Sequence, residues 1–298
     1  MAEKFDLYAH ITDAIVRALE AGTPPWRKPW TGAKGGAAFP LRHNGEPYQG
    51  INVIMLWLEA AEKGFTSPFW MTYRQAQELD AQVRKGEKSS TVVKIGRFEK
   101  EDEDGETTTR GYARAYRVFN ADQIEGLPEK YHGAPIEEPR DLGTVADPDL
   151  DAFFAATGAR IETSEDPRAF YNPVEDRIHM PPIATFHGAN GYYATLAHEA
   201  VHWTGHGSRL DRLSKGRDRA AYAFEELIAE IGACMVCASL GLDPEIDQSA
   251  AYVESWLKAL KDDKRLIFTA ASAAQAACNL ILERGGRHTE DRPSTAAA

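Results

Sequence analysis

The stretch YYATLAHEAVHWTGHGSRL, residues 192–210, sets three histidines and a glutamate within nine positions of an otherwise largely apolar segment. His198 and His202 are four apart, so on a helix both imidazoles leave the same face, one turn from each other. The neighbouring YYATLA and VHW place that face against a core. There, two imidazoles and the Glu199 carboxylate each need a polar partner.

One metal ion satisfies all three groups. Imidazoles at i and i+4 reach a single zinc ion at about 2.0–2.1 Å. Glu199 adjoins the first histidine, where it can take a proton from a water whose pKa zinc lowers towards about 7. His-Glu-x-x-His in this order is the metallopeptidase signature; the alternative is a helix that merely displays histidines to solvent. Catalytic zinc takes three protein ligands and keeps a position open, so a third must be found. His206 follows Gly205 in the spacing of a metzincin, but Ser208 stands where that pattern wants histidine, and Asp211 would be an aspartate variant. The third candidate lies in YAFEELIAEIGA (222–233), which resembles the second motif of the thermolysin-like gluzincins. There Glu226 would be the ligand and Glu230, one turn on, would orient a zinc histidine or replace Glu226. Glu225 is expected on the solvated face.

The chain has 298 residues, 43% hydrophobic and 27% charged, enough for a sizeable core in one large or two ordinary domains. No run of eighteen apolar residues marks a membrane span, and MAEKFDLYAH lacks the order of a secretory signal. Cys234 and Cys237 form a C-x-x-C without a second pair; with Cys278 they read as buried thiols, and the protein as cytoplasmic. The net charge of −11 is uneven. Residues 1–130 hold 18 basic and 19 acidic side chains, six of the acids in EKEDEDGE (99–106); residues 131–298 hold 16 and 26. A mildly basic N-terminal body therefore precedes an acidic C-terminal one.

Periodicity predicts helices over FDLYAHITDAIVRALEAG, GINVIMLWLEAAEKG and MTYRQAQELD, then a hairpin of STVVKIGRF and YARAYRVFN across the acidic tip. The Pro-, Gly- and acid-rich 131–148 reads as a linker. Beyond it come a helix in DLDAFFAATG, short strands in ARIETS, AFYNP and DRIHMP, the histidine helix at 190–205, and helices near 219–241, 248–261 and 263–283. AFYNPVEDRIHMPP is a candidate edge strand for an extended peptide. Residues 285–298 have nothing to bury and are expected to be disordered. The fold class is α+β in two domains: a mixed N-terminal domain, 1–130, and a C-terminal one, 149–284, with a small sheet and several helices.

Trp26 and Trp30 flank Arg27 and Lys28 in the proline-stiffened TPPWRKPW. Aromatic faces beside cations suit unpaired bases and their phosphates. Tyr48, Trp70, Tyr73, Arg74, Arg84, Lys85, Lys88 and Lys94 extend the composition, whereas Trp57 sits in an apolar helix and reads as core. The competing reading is surface charge around an aromatic core.

The runs ALEAGTPPWRKPW, YQGINVIMLW, SPFWMTYRQAQEL, VRKGEKSSTVV and VFNADQIEGLP are similar to the single-stranded-DNA-binding domain of the ArdC-type antirestriction proteins of conjugative plasmids. YYATLAHEAVHWTGHGSRL, YAFEELIAEIGA and AAYVESWLKAL resemble the zincin-like domain of the same family, so the likeness spans about residues 5–280. It implies a protein that binds single-stranded DNA and counters restriction when a plasmid enters a recipient cell. Zn2+ would be the cofactor, and a protein substrate or a restriction enzyme a further partner. Related domains in plasmid primases leave a part in DNA priming open. A second reading is a protein that shields single strands around a structural zinc. A third, an acidic DNA mimic, is weakest, because the acids are interspersed with bases and a mimic has no use for Glu199.

Overall fold

The computed structural model describes residues 6–26, 39–101, 107–132, 142–214, 218–244 and 250–287. Arg27, Lys28 and Trp30, the acidic tip at 102–106, most of the expected linker and the tail from 288 lie outside them.

The N-terminal region opens with α1 (Leu7–Glu20). Asp6 caps it, its carboxylate accepting from the backbone N–H groups of Tyr8 and Ala9 at 3.0 and 3.1 Å. Next come β1 (Leu41–Arg42), α2 (Ile51–Lys63), β2 (Phe69–Met71), α3 (Tyr73–Glu78) and β3 (Gln82–Val83). The long β4 (Ser90–Glu101) and β5 (Thr107–Asn120) then form the expected hairpin, and β6 (Ile124–Glu125) pairs back with β3. The sheet runs β1-β2-β5-β4, with β1 parallel to β2 and the other pairs antiparallel. β2 meets β5 only at Phe119 and Asn120, so most of the hairpin is a two-stranded ribbon. At the outer edge of β4, the Asn52 side chain of α2 bonds both backbone groups of Val93, at 2.8 and 2.7 Å. A polar side chain thereby closes part of an edge that would otherwise offer itself for pairing.

The C-terminal region starts at α4 (Pro148–Ala156), with Asp147 as cap and proline in the first turn. β7 (Arg160–Thr163), β8 (Phe170–Asn172) and β9 (Arg177–Met180) form a sheet of order β7-β9-β8, so of the stretch read as an edge strand β8 lies at an edge and β9 at the centre. Four helices follow: α5 (Ala189–Thr204), α6 (Arg219–Leu240), α7 (Ala250–Asp262) and α8 (Leu266–Arg284). By length and composition α8 is apolar enough to cross a membrane, although polar residues interrupt it. Its Ile267, Ala271, Ala274, Cys278 and Ile281 are nonetheless buried in the core. Cys234, Cys237 and Cys278 are buried and in the thiol form, as expected.

The two regions share one continuous core that joins Ile11, Trp26 and Trp57 to Trp203, Ile231, Trp256 and Ile281. α1 lies along α7, and α2 touches α8. Polar contacts fix the docking: Thr12 Oγ1 donates to the carbonyl of Lys264 at 2.7 Å, Lys264 pairs with Asp13 at 2.8 Å, and the Gly50 N–H donates to Gln275 at 3.1 Å. Each fully buried aliphatic side chain is worth roughly 1.5–3 kcal/mol. Ile11, Ile15 and Leu19 of α1 thus tie the first helix of one region to the other.

Candidate metal centre

α5 needs no side-chain cap, because its apolar flank is buried: Tyr193, Ala197, Ala200, Val201 and Trp203 are all at most 1% exposed. α6 packs against it. Gly232 permits the approach, since a Cβ there would meet Val201 at 2.9 Å. This seam carries the chemistry of the histidine motif.

His198 and His202 turn their Nε2 atoms towards each other at 3.2 Å. Glu226 lies across the seam, one carboxylate oxygen 3.6 Å from His198 Nε2 and the other 3.5 Å from His202 Nε2. Two bonds of 2.0–2.1 Å meeting at a tetrahedral angle would separate their donor atoms by about 3.3 Å. The nitrogen pair matches that spacing. Among the described residues, His198, His202 and Glu226 are the group whose ligand atoms fall within 4.8 Å of one another. The set fits a divalent ion by its geometry and by its mix of imidazole and carboxylate.

The remaining candidates take other places. His206 turns its Nδ1 to Ser208 Oγ at 2.8 Å, and Asp211 accepts from Ser214 Oγ at 2.5 Å. Neither joins the cluster. Glu230, 3% exposed, lies 3.8 Å from His198 Nδ1, a ring nitrogen with no hydrogen-bond partner among the described residues. It stands beside the histidine it was expected to orient, at a distance beyond a direct hydrogen bond. Glu199 is 7% exposed, on the same helix as both histidines.

Glu225 corrects the sequence reading. It is buried, not solvated. Its carboxylate receives two bonds from Arg212, at 3.1 and 2.8 Å, and lies 3.4 Å from His202 Nδ1. Arg212 also donates to the carbonyl of Val201 at 2.7 Å and to Thr204 Oγ1 at 3.0 Å, closing the end of α5. Because the turn after α5 folds back over α6, two adjacent glutamates are covered by different neighbours. Burial raises the Glu225 pKa, but His202 and Arg212 outweigh it and hold the carboxyl below its ordinary value. Burial likewise pulls the His198 pKa down, and the neighbouring carboxylates of Glu226, Glu199 and Glu230 reverse this, to about 9.

Tyr222, one turn before Glu226, was also missed. Its hydroxyl favours the ionised Glu226 carboxylate and lies 3.5 Å from that of Tyr252, while the residue stays 57% exposed at the rim. On the other side, Arg209 bonds the Trp203 carbonyl at 2.6 Å, lies 4.2 Å over the Trp203 ring, and pairs with Asp176 between β8 and β9. The helix end is thus locked to the edge hairpin. The Arg209 hydrogen bond is the main reason that the Asp176 pKa falls to about 2.

The aromatic set proposed for DNA fares differently. Trp26 is fully buried and meets Trp256 of α7 edge-on at 6.2 Å. Trp70 meets Phe65 at 5.6 Å, and Tyr48 is 8% exposed, its hydroxyl pKa raised to about 12 by burial. Their faces are covered by protein, so these three cannot stack on bases in this conformation. Trp57 is core, as expected. Tyr73 is exposed. Arg74 and Arg84 are exposed but paired with Glu78 and Glu87, at 2.9 and 2.8 Å, whereas Lys85, Lys88 and Lys94 are exposed.

Two family models match the chain. Residues 5–119 fit the N-terminal domain of anti-restriction factor ArdC, and residues 148–273 fit a zincin-like metallopeptidase. The crystal structure of metal-free antirestriction ArdC from plasmid R388 is 67% identical, covering 95% of this chain and 98% of that one, with a TM-score of 0.86. Its Mn(II)-bound form is 66% identical over 94% and 98%, with a TM-score of 0.83. The uncharacterized protein y4eC of Sinorhizobium fredii is 39% identical over 91% of this chain and 89% of its own length. A DNA primase TraC of Escherichia coli is 38% identical over 95% of this chain, which spans only 28% of the primase.

Proposed function

The chain belongs to the ArdC antirestriction family, and on that footing we propose that it binds incoming single-stranded DNA and carries a zinc-dependent peptidase centre beside it. The observation that carries the enzymatic half is the convergence of two imidazole Nε2 atoms and the Glu226 carboxylate, with Glu199 on the same helix. A zinc ion held there would supply a Lewis acid that polarises a carbonyl and acidifies water. His198, His202 and Glu226 hold the ion. The Glu225–Arg212 pair keeps the His202 imidazole oriented through its Nδ1 side, as groups behind metal ligands do, and Glu230 sets a negative charge beside His198. Glu199 accepts the proton of the attacking water and returns it to the leaving amine. Tyr222 holds the Glu226 carboxylate at the rim, and β8 offers a sheet edge along which an extended peptide can pair. The protein acts in the cytoplasm of the recipient cell.

The test compares wild type with Glu199→Gln for peptide hydrolysis and for plasmid establishment in a restricting host. Loss of both supports the enzymatic reading. Full protection by a variant that still binds zinc would replace it with that of a shield. The likeness to a DNA primase favours one further reading, an accessory part in priming on single strands.

A further inference from the structure

We propose that single-stranded DNA is gripped by the β4–β5 ribbon, on the face that carries Lys94, Tyr112, Arg114 and Tyr116; the inference rests on the single-strand reading above and gives it a place. Side chains on one face of an antiparallel pair meet directly across it. Here Lys94 pairs with Arg114, flanked by Gly96 with Tyr112 on one side and Val92 with Tyr116 on the other. Two cations directly opposite repel each other, and neither has an ion-pair partner among the described residues. Arg74 and Arg84, by contrast, are already matched by acids of their own. The pair is a site waiting for an external anion.

The aromatic part is built with equal care. Gly96 leaves room for the Tyr112 ring to lie across the ribbon: a Cβ there would sit 2.6 Å from that ring. The Arg114 guanidinium lies 5.3 Å from the Tyr112 centroid, and Tyr116 is 42% exposed. The tyrosines stand four residues apart, about 13 Å along a strand, with the cations between them. That order, ring then charge then ring, suits a strand whose bases are free to stack while its phosphates are neutralised. Arg117, held to Thr91 Oγ1 at 2.6 Å, lies on the opposite face of the ribbon and takes no part. A duplex, with its bases already stacked, can use only the charges.

The experiment is an anisotropy titration of the full chain with a labelled oligo-dT strand and with a duplex of equal length. Arg114→Glu should weaken oligo-dT binding about tenfold or more and lower the salt slope by about 0.7 for each phosphate no longer neutralised. Tyr116→Ala should weaken it about tenfold with the slope unchanged. Both residues are exposed, so melting curves should match wild type, and Lys258→Glu on α7 controls for charge reversal and should bind as wild type does. If Arg114→Glu and Tyr116→Ala both bind within about twofold of wild type, the ribbon is not the site, although the single-strand reading survives. If wild type binds duplex as tightly as oligo-dT, the stacking face is refuted. If it binds neither, inference and reading fall together.

Discussion

The α5–α6 seam and the β4–β5 ribbon both gather charged side chains, yet one hides them and the other holds them in water. In the seam, Glu199, Glu225, Glu226 and Glu230 are each at most 9% exposed. They can be, because His198, His202 and Arg212 lie among them, and the set has room for a cation. On the ribbon Lys94 and Arg114 have the same sign, and burial would leave both uncompensated. Charges thus go inside as balanced groups and stay outside as unbalanced ones. The first arrangement prepares a fixed site, the second a surface that needs a partner.

Separating the two regions puts this contrast under the greatest stress. A 1–130 fragment loses the α7 and α8 surfaces that cover Ile11, Ile15 and Trp26, and is expected to melt without cooperativity by calorimetry. A cooperative, DNA-binding fragment would show that the ribbon's region stands alone. Next in size, His198→Ala should lose the metal that wild type and Glu199→Gln retain, read by elemental analysis of dialysed protein; a full equivalent in His198→Ala would reject the ligand set. Arg212→Ala should then destabilise the fold by about 3–5 kcal/mol, since it leaves the Glu225 charge buried without its bidentate partner. For a chain of this size that is a fall in melting temperature on the order of 10 °C. Arg212→Met with Glu225→Leu should recover much of it, which would identify orphaned charge as the cause. Asn52→Ala, which frees the Val93 edge groups, should cost about 1–2 kcal/mol in a denaturant titration. Smallest of all, Arg74→Ala removes an exposed i,i+4 pair worth at most about 0.5 kcal/mol. It should leave oligo-dT affinity unchanged; if it weakens binding as much as Arg114→Glu, the contrast between paired and unpaired cations fails.

Much of this was legible in the sequence where the information is local. The spacing of His198, Glu199 and His202 fixes one helical face, and the doublet of Glu226 with Glu230 fixes another, so the seam could be assembled from two short segments. Helix and strand positions followed from periodicity to within a few residues. What failed depended on distant chain. Whether Trp26 faces water is decided by Trp256, far along the sequence, and a proline-rich setting says nothing about that partner. Glu225 looked solvated because only the return of Arg212 over α6 covers it. Tyr112, Arg114 and Tyr116 went unnoticed for a similar reason: their shared face, and the space Gly96 provides, exist only once the ribbon's register is known.

The shared core has a consequence for how such proteins are inherited. Recombination that exchanged one region alone would hand its recipient an α1 with no α7 to lie on, and a Trp256 with no Trp26. The piece that can move between genomes is therefore the pair. The likeness to the primase has that form: it runs through both regions, 95% of this chain, as a block within a much longer protein. A graft that keeps the Thr12–Lys264 and Gly50–Gln275 hydrogen bonds should travel intact, whereas a cut at the linker, where a boundary is easiest to draw, divides the one thing that has to be passed on whole.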